Sequence, residues 1–244
     1  HVLVPRQTFV ATGLSVLEVG ATPVFCDIDL NTFGASIESA AQMISKKTKA
    51  IIFVHWGGIG VNTEKIKDWS IKNNLVFIED AAHAFGSRLN SLNPLGYVNN
   101  DKHFVVFSFQ AIKILTTGDG GCVCSTKNNS HKLKKLSWFG IEKNVGKRRL
   151  ASKEKGLGID LPGFKYNMNA LQAVLGLGNM TNIDKRISRR RKIARYYYKD
   201  EFMKRFGGVS KGSDPCSKVN SRNLNNWVLY KKNKECLIIC FTPG

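Results

Sequence analysis

Two stretches of the chain place chemically active side chains at the end of a short apolar run. In the first, the run 75–78 is followed directly by Glu79 and Asp80, and His83 comes shortly after them among alanines. A carboxylate at the end of a buried strand needs a cationic or hydrogen-bonding partner, because without one it would be protonated. We therefore expect partners for this acidic pair, and the small residues around it leave space for a flat ligand.

The second stretch carries a hydroxyl group and an amine. Ser108 lies near the end of the apolar run 104–109, Lys113 follows on the same connection, and the glycine-rich segment 116–121 comes next. Clustered glycines predict a tight turn between two strands. We expect Ser108 and Lys113 to share this turn.

A lysine, a strand-end aspartate, a hydroxyl group and small residues are the parts that a pyridoxal phosphate enzyme needs. The lysine forms a Schiff base with the cofactor, the aspartate keeps the pyridine nitrogen protonated, and hydroxyl or amide groups bind the phosphate. The same residue types also have structural uses, because a strand-end aspartate can be a helix cap or a salt-bridge partner and a lysine can be a surface residue. Residue types alone leave both interpretations open.

Short apolar runs alternate with segments of helical period in the first half of the chain. Six runs that are β-branched or aromatic predict buried strands; they are 2–4, 23–26, 50–54, 75–78, 105–109 and 122–124. Helices are predicted at 8–19, 37–44 and 64–72. The alternation predicts an α/β fold in which right-handed crossovers build a largely parallel sheet with helices on both faces. Ligands bind such sheets at the carboxyl ends of the strands, where Asp80 and Ser108 are predicted.

The pattern changes after residue 166. Apolar residues at helical spacing predict one long helix from Met168 to about Lys199. Beyond Phe206 the chain is rich in Gly, Ser, Asn and Lys, and its one apolar run, 237–241, is too little to build a separate core. We therefore divide the chain into a domain core (1–166), a long helix (167–205) and a basic tail (206–244).

The charge of the chain is unevenly distributed. The 244 residues carry a formal net charge of +19, all of it in residues 126–244, because residues 1–125 hold ten basic and ten acidic side chains. A basic half could bind nucleic acid, anionic lipid or phosphorylated ligands. Apart from the run 189–192, however, the basic residues are dispersed and no nucleic-acid-binding motif accompanies them. We therefore favour a solvated basic surface, predict no nucleic-acid partner, and keep anion recognition as the alternative.

Location and processing are inferred from what the sequence contains. No apolar run approaches the roughly 20 residues that cross a bilayer, so no membrane span is expected. The six cysteines form no paired metal-binding pattern, which indicates reduced thiols in a cytoplasmic protein and no metal site. The chain opens at His1, and we expect a preceding segment to be missing.

Five strings along the chain together resemble the DegT/StrS family of sugar aminotransferases. They occur in the family's order and at about its spacing, and the resemblance covers residues 1 to roughly 205. The strings are TPVFCDID (22–29), TKAIIFVH (48–55), FIEDAAHA (77–84), SFQAIK (108–113) with TGDGG (117–121), and LPGFKYNM (161–168). The strings at 77–84 and 161–168 are most similar to the branch that makes UDP-4-amino-4-deoxy-L-arabinose for lipid A.

The resemblance implies a pyridoxal 5'-phosphate-dependent transferase of fold type I and a role for each matching residue. Lys113 would bond to the cofactor and then move the proton, and Asp80 would pair with the pyridine nitrogen. The remaining cofactor-binding residues would be His83 near the ring, Ser108 at the phosphate, Phe9 packed on the ring, and Asn167 reaching the phosphate of a partner subunit. Structural alternatives remain for these four, such as core packing for Phe9 and a helix N-cap for Asn167.

The chain also departs from the family pattern. The N-terminal segment whose Gly-Thr turn holds the phosphate is absent from this sequence, and Gln110 stands where histidine is common. The small domain, normally about a hundred residues in the family, is represented only by the basic tail 206–244. The chain is therefore expected to be a truncated core, with 1–166 as the pyridoxal phosphate-binding large domain and the tail as a remnant or diverged small domain.

The implied function is transfer of an amino group, with glutamate as the expected donor, to a keto sugar carried on a nucleotide. Such products enter cell-surface polysaccharide, lipid A or secondary-metabolite sugars, and the active unit would be a homodimer with shared sites. The alternative is a family member that binds cofactor or sugar nucleotide without turnover. A dehydratase relative is disfavoured, because that branch replaces the lysine by histidine and Lys113 is present.

Overall fold

The structure is a computed structural model that describes residues 1–58, 62–88, 94–141, 159, 161–199 and 239–241. Strands and helices alternate through the first half of the chain. In chain order they are β1 (Val2–Pro5), α1 (Val10–Glu18), β2 (Pro23–Cys26), α2 (Ile37–Met43), β3 (Ala50–Val54), α3 (Glu64–Lys72), β4 (Val76–Asp80), β5 (His103–Ser108), β6 (Gly121–Cys124), α4 (Lys127–Leu136), α5 (Ala170–Met180), α6 (Ile183–Lys199) and β7 (Ile239–Phe241). A single turn of 3₁₀ helix, Trp56–Gly58, follows β3.

The strands form one mixed sheet in the order β2-β1-β3-β4-β5-β6-β7. The five strands from β2 to β5 pair in parallel, whereas β6 is antiparallel to β5 and β7 is antiparallel to β6. In register, Asp80 lies beside Val54 on one side and Val106 on the other. The predicted α/β fold with a largely parallel sheet is confirmed, and it is that of fold type I transferases.

The apolar runs of the sequence cover both faces of this sheet. On one face, α1 packs through Val16 against Val4, Ile52 and Val54. On the other, α2 and α3 cover a cluster that includes Ile51 and Phe77. All five residues of β3 are buried, which explains why its sequence is continuously apolar.

A third cluster supports the part of the sheet that carries β5 and β6. It joins Phe107 and Phe109 to Phe85, and α6 contributes Ile183 and Ile187. Phe85 lies between the other two rings, with centroid distances of 5.6 Å to Phe107 and 5.9 Å to Phe109. This cluster packs beneath the ends of β4 and β5, so it fixes the loops that leave them.

The predicted long helix is divided into α5 and α6 by a turn at Thr181 and Asn182. Thr181 donates its hydroxyl to the carbonyl of Gly178 at 2.7 Å, and a new helical hydrogen bond begins from Arg186 N to Asn182 O. Side chains that bond to nearby backbone in this way compete with continued helix. One continuous helix from 168 to 199 was therefore wrong, and residues 200–205 of the proposed helix lie outside the described residues.

Most of the tail, residues 206–238 and 242–244, lies outside the described residues. The exception is β7, which comes from the apolar run predicted at 237–241 and pairs with β6, with Cys122 opposite Cys240. These three residues therefore extend the large sheet. The wider division of the chain into large-domain core, connecting helix and tail stays a prediction.

In the part of the chain that the structure describes, no helix is both long enough and apolar enough to cross a membrane.

Candidate active site

Asp80 ends β4, and two hydrogen bonds orient its half-buried carboxylate. Thr12 Oγ1, from α1, donates to Asp80 Oδ2 at 2.8 Å, and the backbone N–H of Ala82 donates to Asp80 Oδ1 at 3.0 Å. Thr12 Oγ1 is in turn 2.6 Å from Thr8 Oγ1. The sequence analysis predicted partners for Asp80 but did not identify Thr12. Thr12 lies in the first turn of α1, and no local pattern connects it with Asp80.

Glu79 points to the opposite face of the sheet, because successive side chains of a strand alternate. Its carboxylate is fully buried and accepts hydrogen bonds from His55 Nε2 at 2.7 Å, Thr63 Oγ1 at 3.0 Å and His103 Nε2 at 2.6 Å. Burial acts to raise the pKa of Glu79, but the hydrogen bonds from His103 and His55 outweigh it and lower this pKa to about 2. We call Glu79, His55, His103 and Thr63 the Glu79 cluster. The prediction that the acidic pair needs partners is confirmed, but the three partners of Glu79 were not identified from sequence.

His83 lies in the turn that follows Asp80. Its ring centroid is 5.9 Å from that of Trp56. Desolvation lowers the pKa of His83 below its usual value, the charge of Lys113 lowers it further, and the charge of Asp80 opposes both. The imidazole is therefore mainly neutral at pH 7.

The approach of the Trp56 turn to His83 depends on a glycine. Gly58 has a φ of +79°, a left-handed conformation that glycine adopts without strain. A Cβ atom there would lie 2.4 Å from the carbonyl oxygen of His83. Ser87 Oγ also donates to the Gly58 carbonyl at 2.9 Å, which ties the two turns together.

Ser108 and Lys113 lie on the connection between β5 and β6, as predicted. Ser108 is on the same face of the sheet as Asp80, because Asp80 is in register with Val106, two residues before Ser108. Its hydroxyl accepts a hydrogen bond from Gln110 N at 3.3 Å, and Lys113 N donates to Gln110 O at 2.9 Å. The Ser108 and Lys113 side chains are both half-buried.

Helix α5 holds this connection in place through residues one or two turns apart. Gln172 Nε2 donates to Asp119 O at 3.3 Å and Asn179 Nδ2 donates to Thr116 O at 3.0 Å. Between these two residues, Gly176 packs closely against Thr117 of the connection: a Cβ atom added at Gly176 would lie 2.8 Å from Thr117 Cγ2. The loop that carries Lys113 is thus supported by a helix that the sequence analysis did not connect with it.

Phe9 and Asn167 are the two remaining predicted cofactor residues. Phe9 immediately precedes α1, and its side chain is 69% exposed, so it does not pack in the core of the described residues. Asn167 Nδ2 contacts the Met168 carbonyl at 3.4 Å. The alternative of Asn167 as the helix N-cap was wrong, because Asn169 caps α5 with its side chain accepting from Gln172 N at 2.9 Å. The roles of both residues towards a cofactor stay predictions.

The carboxyl ends of β4 and β5 therefore combine a carboxylate, an imidazole, a hydroxyl group and an amine. A fixed carboxylate can hold a proton on a pyridine nitrogen, a hydroxyl group can bind phosphate, and a lysine amine can bond to an aldehyde. These donor types fit pyridoxal phosphate. The orientation of Asp80 by Thr12 is the feature of this structure that best fits pyridoxal phosphate. Hydrogen bonds fix the carboxylate, and no cationic side chain among the described residues forms a salt bridge with it, so its charge is available to a protonated ring nitrogen.

Comparison with known proteins gives consistent results. The chain is 34% identical over 206 residues to the GDP-perosamine synthase of Escherichia coli O157:H7, which covers 82% of this chain and 51% of the relative. The crystal structure of the sugar aminotransferase CalS13 from Micromonospora echinospora matches with a TM-score of 0.72 and 26% identity, over 88% of this chain and 57% of that one. DesI in the presence of its TDP-sugar product matches with a TM-score of 0.66 and 26% identity, over 82% of this chain and 48% of that one.

The chain spans about half the length of the curated relatives that it matches. Residues 1–233 match the DegT/DnrJ/EryC1/StrS aminotransferase family, which is nearly the whole chain. Two of the strings that carried the resemblance in the sequence, 77–84 and 108–113, contain Asp80 and Lys113. The chain belongs to the DegT/DnrJ/EryC1/StrS aminotransferase family.

Proposed function

We propose that this chain forms the catalytic core of a pyridoxal phosphate-dependent aminotransferase that transfers an amino group from glutamate to a keto sugar carried on a nucleotide. The observation that carries the proposal is the carboxylate of Asp80, which Thr12 and Ala82 hold at the end of β4, with Ser108 on the same face at the end of β5 and Lys113 on the turn that follows. Aminotransferases of this family depend on pyridoxal phosphate. The proposal assigns the strand ends of β4 and β5 as the site of that cofactor.

The cofactor, when bound, supplies an aldehyde that takes up the amino group and a ring that accepts electrons from the reacting carbon. Asp80 would hold the proton of the ring nitrogen, and its hydrogen bonds from Thr12 and Ala82 would keep the carboxylate aimed at that atom. Lys113 would supply the amine that anchors the aldehyde, and its Nζ would then carry a proton to and from the substrate carbon.

The other predicted residues would bind and enclose the cofactor. Ser108 would donate its hydroxyl to the phosphate, because that hydroxyl accepts from Gln110 N and keeps its own proton available. His83 is mainly neutral, so its ring can pack near the cofactor without adding positive charge. Phe9 is exposed and free to cover a ring, and Asn167 would reach the phosphate of the partner subunit.

The relatives support the substrate class. One is a GDP-perosamine synthase and another was studied with its TDP-sugar product, so both act on sugars attached to nucleotides. The basic second half of this chain suits a diphosphate-bearing ligand. Within this class, we propose a UDP-linked 4-keto pentose as the first substrate to test, on the resemblance of the strings 77–84 and 161–168. The product would enter lipid A, cell-surface polysaccharide or secondary-metabolite sugars.

We further propose that the active unit is a cytoplasmic homodimer. Apolar side chains on α1 and α5 support it, because they are exposed in the single chain. Leu14 and Leu17 are 53% and 55% exposed, and Leu171 and Leu177 are 83% and 67% exposed. Residues of this type are normally buried, and a second copy of the chain would cover them.

A two-stage amino-transfer assay tests the proposed function. The protein loaded with pyridoxal phosphate should convert glutamate to 2-oxoglutarate once per site without an acceptor, and turn over repeatedly when a nucleotide-linked keto sugar is added. Lys113→Ala should abolish both stages, whereas Lys132→Ala, an exposed lysine on α4, should leave them unchanged. Release of no 2-oxoglutarate by the loaded wild-type protein would overturn the proposal.

The second function considered is binding of cofactor or sugar nucleotide without turnover. It is not favoured, because the lysine and the aspartate that turnover needs both stand at the strand ends and the relatives named above include enzymes. It would predict cofactor binding in the first stage of the assay with no conversion of glutamate.

A further inference from the structure

The Glu79 cluster is not used by the proposed function, although it lies directly behind the site. Glu79 and Asp80 are adjacent in β4 and face opposite sides of the sheet. Glu79, His55, His103 and Thr63 are all at least 97% buried, so the cluster has no access to substrate. Any role in the reaction must therefore act through Asp80 or the turn around His83.

The cluster joins four separate segments of the fold at one carboxylate. His55 follows β3, His103 begins β5 and Thr63 precedes α3, and each donates to an oxygen of Glu79. His103 Nδ1 is buried without a hydrogen-bond partner in the described part of the chain. His103 therefore binds the cluster through Nε2, and a hydrogen bond from Nε2 to the Glu79 carboxylate requires the proton on that nitrogen.

His55 links this carboxylate to both parts of the candidate site. Its ring binds Glu79, while its backbone N–H donates to the carbonyl of Asp80 at 3.0 Å. Its own carbonyl accepts from Gly58 N at 3.1 Å, which begins the turn that brings Trp56 against His83. A shift of His55 would therefore move the end of β4 and the packing of His83 together.

From these contacts we infer that the Glu79 cluster positions the cofactor site from behind the sheet, with Glu79 as its central positioning residue. The buried carboxylate fixes His55, and His55 in turn fixes the backbone of Asp80 and the Trp56 turn. Glu79 is required for cofactor geometry, although it contacts neither cofactor nor substrate. This inference rests on the proposed function.

The test compares replacements of Glu79 and Thr63 with a matched core variant. Glu79→Gln keeps the shape of the side chain but replaces one carboxylate oxygen by an NH₂ group. That group donates, and it would face a cluster residue that also donates. Thr63→Val removes one hydroxyl, and it disturbs no helix cap, because the Thr63 side chain makes no capping bond to α3. Thr63→Ser keeps the hydroxyl. Leu3→Val is the control, because Leu3 is fully buried on the same face of the sheet and in the same core cluster as Phe77, but lies on β1, two strands away from β4.

Each variant is measured for the dissociation constant of pyridoxal phosphate, the visible circular dichroism of the bound cofactor, and kcat and KM for the sugar nucleotide. Glu79→Gln should raise the dissociation constant at least about tenfold, reduce the dichroism and lower kcat with little change in KM. Thr63→Val should act in the same direction by a few-fold, and Thr63→Ser should restore wild-type values. Leu3→Val should lower the unfolding temperature without changing cofactor affinity or dichroism.

The outcomes separate this role from a purely structural one and from failure of the proposed function. If Glu79→Gln and Thr63→Val lose stability but keep wild-type cofactor affinity and dichroism, the positioning role is wrong and the proposed function stands. If Glu79→Gln does not fold, the pair Thr63→Val and Thr63→Ser decides by the same measurements. If the wild-type protein forms no Lys113-dependent complex with pyridoxal phosphate, the proposed function falls and this role falls with it.

Discussion

The ionised state of buried Glu79 predicts a specific dependence of stability on pH. The pKa of this carboxyl is about 2 in the folded chain against 4.5 for an ordinary glutamate, because hydrogen bonds from His103 and His55 outweigh the effect of burial. The unfolded chain therefore binds this proton more readily than the folded chain does. The contribution to stability is complete well above pH 4.5 and is lost as the pH falls towards 2.

The size of the contribution follows from the difference between the two pKa values. At about 1.4 kcal/mol per unit, the ionised carboxylate stabilises the folded chain by roughly 3 kcal/mol at pH 7. About half of this is lost between pH 5 and pH 3, where the unfolded carboxyl is largely protonated and the folded one is still ionised. Glu79→Gln cannot gain or lose the charge, so it lacks this dependence.

Urea unfolding of wild type and Glu79→Gln at pH 7, 5 and 3 measures the effect. The variant should be less stable by roughly 3 kcal/mol at pH 7, because it lacks the contribution of the ionised carboxylate. The difference between the two proteins should shrink by more than half at pH 3. Subtracting the unfolding free energy of the variant from that of the wild type cancels the contributions of the other carboxylates, which titrate alike in both proteins. A difference that stays constant from pH 7 to pH 3 would show that the folded protein does not keep Glu79 ionised.

Four further experiments test the assignments at the site. Asp80→Asn should lose turnover far more than cofactor binding, since the amide cannot hold the proton of the ring nitrogen; near-normal kcat would contradict its role. Thr12→Val should lower kcat about tenfold or more by freeing Asp80 Oδ2, whereas an unchanged kcat would mean that this hydrogen bond orients nothing. Asn169→Ala should cost about 1 kcal/mol of unfolding free energy by removing the cap of α5, and Asn167→Ala should spare that cap. Mixed dimers of Lys113→Ala and Asn167→Ala chains should recover about one quarter of normal activity; no recovery after proven subunit exchange would place Asn167 within its own chain.

Much of the fold could be predicted because local sequence and final structure agree. The five-residue apolar run 50–54 is β3 with the predicted limits, and residues 64–72 form α3 with the predicted limits. Each is bounded by polar residues; β3 is buried on both faces, and α3 packs Ile66 and Trp69 against the core. The turn with Ser108 and Lys113 could be placed for the same reason, because its glycines mark the connection between two strands.

What could not be predicted depends on contacts between distant residues. The break between α5 and α6 is supported by Asn179, which binds the Thr116 carbonyl and accepts from Arg186, and no local pattern shows those partners. The partners of the acidic pair are likewise remote, since His55 and His103 each lie 24 residues from Glu79 and Thr12 lies 68 residues from Asp80. The sequence indicated that partners were needed but not which residues would supply them.

The central claim is that Lys113 is the amine that bonds to pyridoxal phosphate, and the most direct test is to find where the cofactor becomes attached. The protein is mixed with pyridoxal phosphate, reduced with borohydride, digested and analysed by mass spectrometry. The account predicts visible absorbance before reduction and a cofactor label on the peptide that contains Lys113, both lost in Lys113→Ala. A label on another lysine, with Lys113→Ala still forming the absorbing complex, would contradict it.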